Sequence, residues 1–465
     1  MANFEFIDRH KKIFSYILLF VVFGLSAGTI ITKTLCFTKE MSLFPNIVIS
    51  IASVEKPFEP KDDKQDIGKK QELEIIDGIV VIRSLDKKAI ENNIETSKEY
   101  LFKSIDKEKN GAHKYYYAID DSVENRLHTI YTSSLVYALL NIYEKEKSDY
   151  VLDQILKSGE FILSMQNKEE SFKAYGAFYY SLYLDTNTKE EKFVVGTTSK
   201  TIFTLLRLHQ LTGDNKYLES AKLGADWLIT MQDSDGKMKS YIKYEDGKWF
   251  HSTKQSILYN GQVLSALSKT YIATGDKKYY DSAEKIAKIF AQKYEDAGRQ
   301  YVVGEYRAKN PISNSWLVMS LIDFYNASEQ DYYKEIVFEL SSQIIVNQIK
   351  DSNDILNYGR IDGAYSTSGN GWICEVMADT HKLCLKENRQ DCEKYKEAIV
   401  NIIRWLVQYT YIENNSSILK NPERALGGIF WNKTTKYVRT DSVCHGLNGY
   451  MGIIDYLDNN FLLIP

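Results

Sequence analysis

The residues with the clearest potential for chemistry lie near the C-terminus, in residues 437–446 (Tyr-Val-Arg-Thr-Asp-Ser-Val-Cys-His-Gly). Asp441 and His445 are four residues apart at the start of a predicted helix, so their side chains share one face, and Arg439 precedes them. A carboxylate that orients a histidine is a usable acid/base pair. The alternative is that Asp441 caps the helix and His445 is a hydrogen-bonded core residue. The sequence leaves both interpretations open.

A second cluster surrounds the start of the preceding predicted hairpin. Arg360 and Asp362 lie in a glycine-rich turn, and Tyr365, Trp372 and Glu375 follow. Arg360 is a candidate for substrate binding, and Asp362 or Glu375 could act as an acid or a base. The alternative for Asp362 is an ordinary surface turn.

Two further charged segments connect predicted helices. Residues 304–307 (Gly-Glu-Tyr-Arg) make Tyr306 and Arg307 candidates for substrate binding. Residues 120–126, followed by His128, carry several acidic side chains before a predicted helix, and we interpret them as a capping cluster.

Two kinds of sugar chemistry fit these residue types. A glycosidase needs two carboxyl groups on either side of the scissile bond. A lyase or an epimerase instead needs a proton acceptor and a proton donor, such as His, Tyr or Lys, together with Arg for a substrate carboxylate. The sequence holds candidates for both and does not decide between them.

Aromatic residues are abundant in the same connecting segments, in a chain that has 34 Tyr and 6 Trp. Rings with a polar tip suit the faces and hydroxyl groups of sugars. The alternative, packing of the loops against the helices, is expected for about half of them individually. The candidate aromatic contacts to a sugar are Tyr179, Trp249, Tyr306, Tyr365, Trp372 and Trp431.

These segments connect helices that repeat along the chain. Residues 212–217 (Thr-Gly-Asp-Asn-Lys-Tyr) recur as residues 274–279 (Thr-Gly-Asp-Lys-Lys-Tyr), and weaker copies lie near residues 148 and 330. In each clear copy, glycine supplies the left-handed end of one helix and aspartate begins the next. Each copy therefore predicts an antiparallel αα-hairpin.

Counting these units predicts a closed ring of helices. The five hairpins are 126–146 with 149–167, 198–212 with 215–232, 255–274 with 277–294, 312–328 with 330–348, and 372–386 with 391–411. The helices at about 88–105 and 441–457 have no sequence neighbour to pair with, and together they form a sixth hairpin. The ring then contains 12 helices.

The hairpin number and the Thr-Gly-Asp-x-Lys-Tyr repeat resemble the six-hairpin (α/α)6 toroid superfamily over residues 88–465. That superfamily includes glycoside hydrolases, uronic-acid lyases, sugar epimerases and the catalytic domain of glucuronyl C5-epimerases. The resemblance implies an all-α toroid whose long inter-hairpin connections form the mouth. No catalytic motif of any one of these families is present, so no family residue is transferred to this chain.

The composition limits the other functions. The 465 residues carry 58 Lys and Arg against 62 Asp and Glu, and this near-neutral balance gives no support for nucleic-acid binding. Only 6 residues are proline, which favours long helices over many short strands.

The N-terminal region reads as a membrane anchor. Residues 13–32 have no charge and are long enough to cross a bilayer, and the basic residues before them favour a cytoplasmic N-terminus. A cleaved signal peptide is the alternative. We expect a cytoplasmic segment at 1–12, a transmembrane anchor at 13–32, a stalk with a possible β-hairpin at 33–87, and an extracytoplasmic toroid domain at 88–465 of a single-pass protein of the cell membrane.

The five cysteines fit an extracytoplasmic location without proving it. Cys384 and Cys392 could staple a helical hairpin, and Cys374 and Cys444 could form a second pair; the alternative is that all are free thiols. No Cys or His spacing typical of a metal site occurs, and we expect no metal ion and no cofactor.

Together these features predict a membrane-anchored protein that binds and processes a polysaccharide or oligosaccharide, including one that contains uronic acids. The expected reaction is hydrolysis, elimination or C5-epimerisation. One alternative is a non-catalytic glycan-binding or polysaccharide-assembly protein on the same scaffold. Another is a helical adaptor for a protein partner.

Overall fold

The computed structural model describes residues 74–252, 254–304 and 310–458. The predicted transmembrane segment 13–32 and the candidate residues Tyr306 and Arg307 lie outside this part of the chain. Within it, no helix combines the length and the apolar character that a membrane span requires.

Helices dominate the described residues, and twelve of them are 14 to 20 residues long. In chain order they are α1 (Lys87–Lys103), α2 (Thr129–Glu146), α3 (Asp149–Ser164), α4 (Val195–Thr212), α5 (Asn215–Thr230), α6 (Ile257–Thr274), α7 (Lys277–Asp296), α8 (Pro311–Ser328), α9 (Asp331–Val346), α10 (Thr367–Lys386), α11 (Glu393–Gln408), the single-turn α12 (Glu413–Ser416) and α13 (Pro422–Ala425), and α14 (Thr440–Ile453). The five predicted hairpins are all present. The last helix, α14, packs on α1 and completes the sixth.

The twelve long helices form two concentric rings. The inner ring is α2, α4, α6, α8, α10 and α14, in which each helix packs on the next and α14 returns to α2. Inner helices are buried on almost every side; α8, for example, buries Trp316 and Leu317 together with the polar Ser313 and Asn314. The outer helices are amphipathic, because burial on one side only requires an apolar stripe at helical spacing.

The short turns between paired helices explain the repeat. Gly213 ends α4 in the left-handed conformation, with φ of 70°, and the side chain of Asp214 accepts a hydrogen bond from the Lys216 amide at the start of α5. Gly275 and Asp276 do the same between α6 and α7. The repeated motif therefore encodes a helix end and a helix start.

A repeated glutamine fixes the long connections at the opposite face. The side-chain amide of Gln166 donates to the carbonyl oxygens of Gly176 and Ser220, both at 2.9 Å, and the Ser220 hydroxyl donates back to it at 2.7 Å. Gln232 and Gln348 each donate to a loop glycine and to the next outer helix in the same way. Each glutamine thus ties the connection that follows it to the neighbouring hairpin.

The connections also contain short antiparallel strands, which the all-α prediction did not include. They are β3 (Tyr115–Tyr117), β4 (Ser122–Val123), β5 (Arg126–His128), β6 (Ser181–Tyr183), β7 (Lys192–Val194), β8 (Tyr241–Glu245), β9 (Lys248–His251) and β10 (Val438–Arg439). They pair in the orders β10-β3-β4, β5-β6 and β7-β8-β9. The pairs link successive connections to one another, and β10 joins the last connection to the first.

The predicted hairpin before the ring is present, as β1 (Ile75–Ile76) and β2 (Ile79–Val80) with Asp77 and Gly78 at positive φ in the turn. It belongs to the same compact unit as the ring, whereas we had assigned it to the stalk. Ile79 is fully buried.

One of the two expected cysteine pairs is formed. Cys384 and Cys392 make a disulfide between the end of α10 and the start of α11. Cys374 and Cys444 are buried free thiols, so the possible second pair is not formed.

Candidate active site

The N-terminal turns of all six inner helices line a single cavity of about 720 Å³. Each helix contributes residues from its first two turns, and Trp431, Asn432 and the turn at Gly363 complete the wall. The inner helices therefore run parallel to one another and begin at the same face of the ring. This volume is in the range of sites for small ligands.

His445 on α14 and Glu375 on α10 form a hydrogen-bonded pair at this cavity. The Nδ1 atom of His445 lies 2.7 Å from Oε2 of Glu375. Burial would raise the pKa of Glu375, but the hydrogen bond and charge of His445, assisted by Lys200, outweigh it and lower that pKa. An ionised carboxylate can only accept, so Nδ1 carries the hydrogen, and Nε2 presents a lone pair whenever the ring is neutral. Nε2 has no hydrogen bond within the described residues.

Asp441, which we expected to orient His445, is paired with Arg439 instead. The Arg439 Nε donates to Oδ1 of Asp441 at 2.5 Å, and Nη2 bonds to Oδ2 and also to the Ser368 hydroxyl. Burial opposes ionisation of Asp441, but the Arg439 charge prevails and lowers the pKa of Asp441. The guanidinium also lies 4.2 Å from the centre of the Trp431 ring.

Two stacked tryptophans and a lysine form the floor of the cavity. Trp316 and Trp372 stack with ring centres 3.7 Å apart. Lys200 Nζ lies 5.3 and 5.2 Å from their respective centres. His445 meets Trp372 edge to face, with ring centres 5.2 Å apart. The floor therefore places one cation and one imidazole beside a stacked pair of tryptophans, each of which is 4% exposed.

Solved structures provide the comparison, since no family model and no curated protein sequence matches the chain. A cellobiose 2-epimerase from Bacillus thermoamylovorans B4167 is 14% identical with a TM-score of 0.63 and covers 80% of this chain and 99% of its own. An unsaturated glucuronyl hydrolase specific for heparin is 12% identical (TM-score 0.55, covering 81% and 100%), and an α-1,6-mannanase of Salegentibacter sp. is 12% identical (TM-score 0.57, covering 80% and 99%). The chain has the six-hairpin (α/α)6 toroid fold. At these identities the likeness concerns the fold.

The mouth of the toroid includes some of the expected aromatic residues and not others. Tyr365, Trp372 and Trp431 line the cavity. Tyr179 and Trp249 do not line the cavity. Tyr179 packs against Phe193, and Trp249 packs edge to face on the ring of Phe172. These two residues hold the toroid's connections together.

Arg360 and Asp362 do not line the cavity, although Gly363 of the same turn does. Arg360 is buried and bonds to the Ala364 carbonyl oxygen at 3.3 Å, and its guanidinium lies over the ring of Tyr365. The Asp362 side chain is 65% exposed and 3.5 Å from Arg360. Arg360 therefore supports the turn that carries Tyr365.

The earlier cluster at 120–128 does not cap the toroid's first inner helix through a side chain. His128 is the residue before α2, but its imidazole makes no capping bond. It is fully buried, with Nε2 3.1 Å from Oε1 of Glu124, and Glu124 also accepts from the Lys114 amide. This group holds together the single connection between α1 and α2.

Lys200 and Trp316 are the site residues that sequence reasoning missed. Both lie inside predicted helices, at 198–212 and 312–328, and the helical pattern there indicates packing and not chemistry. The available signal was a lysine within a run of small and apolar residues on a helix that must be buried. Such a lysine is rare unless it has a partner or a role.

A second, much smaller cavity of about 30 Å³ lies beyond the floor of the toroid's mouth, since the two share Ser134, Lys200 and Trp372 as walls. It is lined by Glu375, Asp379 and Asp323, and Lys269 bonds to Asp323 at 2.6 Å. Burial raises the pKa of Asp379. The described residues include no group of three or more His, Cys, Asp or Glu arranged to hold a metal ion.

Proposed function

We propose that this protein is a carbohydrate-active enzyme that removes a proton from a sugar carbon next to a carbonyl or carboxylate group. This step is shared by sugar epimerases and lyases. The observation that carries the proposal is the His445–Glu375 pair, with Nδ1 bonded at 2.7 Å and Nε2 free of hydrogen bonds to any described residue at an aromatic cavity. A positioned imidazole of this kind is a general base.

The proposed step needs the His445–Glu375 pair, the substrate and water. Nε2 of His445 takes the proton, and the electron pair left on carbon spreads into the neighbouring carbonyl or carboxylate. The imidazolium that forms is stabilised by the Glu375 carboxylate. A proton delivered by water to the opposite face gives the epimer, and His445 then releases its proton to solvent. In elimination the substituent on the next carbon leaves with the proton of the imidazolium, which gives an unsaturated sugar and restores neutral His445.

Hydrolysis is the second candidate, because the neighbours include a glucuronyl hydrolase and a mannanase. A glycosidase requires one protonated and one ionised carboxyl group at the sugar. Asp379 and Glu375 have pKa values shifted in these two directions. They meet only at the cavity of about 30 Å³, which has room for water and not for a sugar ring.

Hydrogen exchange in D₂O separates these candidates without knowledge of the net reaction. Full-length protein in mild detergent is incubated with a panel of uronate polysaccharides and reducing oligosaccharides, and NMR follows replacement of carbon-bound hydrogen by deuterium. We expect exchange at one sugar carbon, and its loss in His445→Gln. Cleavage that brings ¹⁸O from water into new reducing ends, without carbon exchange, would support hydrolysis instead. Binding with neither result would favour a non-catalytic glycan-binding protein.

We also propose that residues 13–32 anchor the protein in the cell membrane with the toroid outside the cytoplasm. The support is the 20-residue run without charge, flanked by basic residues. The test is resistance of the protein to alkaline extraction from membranes, combined with cleavage of the toroid by protease added to intact cells. Release of the chain by alkali would contradict anchoring.

A further inference from the structure

The charged residues that line the large cavity are unevenly balanced. Three cations, Lys114, Lys200 and Arg439, face a single carboxylate, Asp441. Asp441 is already bonded to Arg439 through both of its oxygens. Among the described residues of this cavity wall the two lysines therefore have no acidic partner, although Lys200 also borders the small cavity lined by Glu375, Asp379 and Asp323.

Lys200 is the more unusual of the two. It is 8% exposed, and within the described ranges its ammonium makes neither a hydrogen bond nor an ion pair. Its neighbours are the faces of Trp316 and Trp372. Burial lowers the pKa of Lys200, and attraction by Glu375, Cys444 and Asp441 acts against that shift. An unpaired buried ammonium is costly to a protein, so its retention indicates a ligand that pairs with it.

The backbone adds to this positive potential. All six inner helices place their N-terminal turns at the cavity. The N-terminus of a helix carries a partial positive charge, which favours an anion. The side chains and the helices thus point to the same class of ligand.

We propose that Lys200 binds the carboxylate of an acidic sugar, a uronate residue, and thereby holds the adjacent carbon at His445. This inference rests on the proposed function and names its substrate class. Lys200 Nζ and the His445 ring centre each lie 5.2 Å from the centre of Trp372, so they are at most about twice that distance apart. One pyranose ring beside Trp372 can span them. The ammonium then also stabilises the charge that moves into the carboxylate when the neighbouring proton leaves.

The test measures binding of defined glycans to full-length protein in detergent. The probes are uronate-containing oligosaccharides, the same oligosaccharides with each carboxylate reduced to a hydroxymethyl group, and sulfated neutral oligosaccharides. The variants are Lys200→Met and Lys200→Gln. Lys189→Met is the matched control, because Lys189 likewise lies over an aromatic ring, that of Tyr179 at 5.1 Å, but outside the large cavity.

We expect the wild type and Lys189→Met to prefer the uronates, and both Lys200 variants to lose about 10- to 100-fold in affinity for them with little change for the reduced forms. We also expect Lys200→Met to unfold at the same temperature as the wild type or a higher one, since it removes an unpaired buried charge. A merely structural lysine would lower the unfolding temperature and weaken both kinds of ligand alike.

The proposal is overturned if wild-type protein binds no uronate, if it binds the sulfated sugars equally well, or if both Lys200 variants bind uronates as the wild type does. Its failure can be told apart from failure of the proposed function. Proton exchange on neutral sugars alone would refute the role of Lys200 and leave the function of His445 intact. Lys200-dependent uronate binding without any exchange would refute the function of His445 and leave the role of Lys200 intact.

Discussion

Replacing Glu375 by Gln tests whether this carboxylate assists chemistry through His445. Gln has nearly the same shape as Glu, and its amide oxygen can accept the Nδ1 hydrogen bond that Glu375 now accepts at 2.7 Å. The substitution removes the negative charge and keeps the bond. Glu375→Ala removes both, so the two variants together separate charge from orientation.

The expected size of the effect follows from the change in His445 during the reaction. When its ring takes a proton, the bond to Glu375 becomes one between opposite charges. Bonds to charged groups contribute about 1.5–3 kcal/mol against roughly 1 kcal/mol for neutral ones. The charge of Glu375 is therefore worth about 0.5–2 kcal/mol in the transition state, or about 2- to 30-fold in rate. Glu375→Ala should cost roughly 100-fold, the lower range for general acid–base catalysis.

The assay is the rate of carbon-bound hydrogen exchange in D₂O, with a substrate from the uronate panel. Glu339→Gln is the matched control, since Glu339 also accepts hydrogen bonds from a cation, Arg299, but on the outer helix α9. It should exchange at the wild-type rate. Thermal unfolding shows whether each variant is folded at the assay temperature.

Two results would refute the reasoning about this pair. One is wild-type exchange in Glu375→Gln and Glu375→Ala together with loss of exchange in His445→Gln, which would leave His445 acting without the carboxylate. The other concerns pH. Because His445 lowers the pKa of Glu375 in the folded protein, the ionised Glu375 carboxylate should stabilise the fold fully at pH values above the usual carboxyl pKa range. This stabilisation should be lost as the pH falls through the lowered pKa. A stability difference from Glu375→Gln that grows in acid would contradict this.

Three further substitutions test the framework by chemical denaturation. Asp441→Asn leaves the Arg439 charge unpaired and should lower the free energy of unfolding by about 3 kcal/mol at neutral pH. Because Arg439 lowers the pKa of Asp441 against the effect of burial, this loss should fade below about pH 4. A loss that persists in acid would contradict the ion pair. Gln166→Ala loses three buried hydrogen bonds and should lower the free energy of unfolding by about 3 kcal/mol. The loss should be smaller for Gln232→Ala, because the side-chain amide of Gln232 donates longer hydrogen bonds, of 3.4 and 3.1 Å. Equal losses would contradict the proposed role of Gln166 in fixing its connection to the neighbouring hairpin. Gly427 has a positive φ, and Gly427→Ala would place Cβ 1.9 Å from a backbone oxygen of α1. The substitution should lower the free energy of unfolding by more than about 3 kcal/mol. A mild effect would mean that the last connection can move.

The architecture could be predicted from the sequence because its determinants are local. A glycine at positive φ ends a helix and the next aspartate begins another, as at Gly213 and Asp214, whatever the rest of the chain does. The repetition of that signal gave the number of hairpins, and the two unpaired helices gave the closure. The glutamine at residue 166 and its copies were visible as a repeat, but their bonds cross to a different hairpin and could not be predicted.

The site could be predicted only in part, because its contacts join distant parts of the chain. Helical spacing correctly placed Asp441 and His445 on the helix that borders the cavity, yet it could not rank their partners. Asp441 pairs with Arg439, two residues away in the sequence, and His445 pairs with Glu375, 70 residues away. The short strands were missed for the same reason, since segments of two to five residues acquire stability only by pairing across connections.

The direction of the inner helices bears on the reaction itself. A general acid of the glycosidase type needs a carboxyl group whose pKa is raised. Asp441 lies in the first turn of α14, where the partial positive charge of the helix end favours the ionised form, and Arg439 favours it further. Every position in the mouth supplied by a helix start has the same bias. Asp441 is therefore held as an anion, and Glu375, which accepts the hydrogen bond of His445, also has a lowered pKa. Neither of these carboxyl groups is thus suited to protonate a glycosidic oxygen, which supports the proposal that the site abstracts a proton from an acidic sugar.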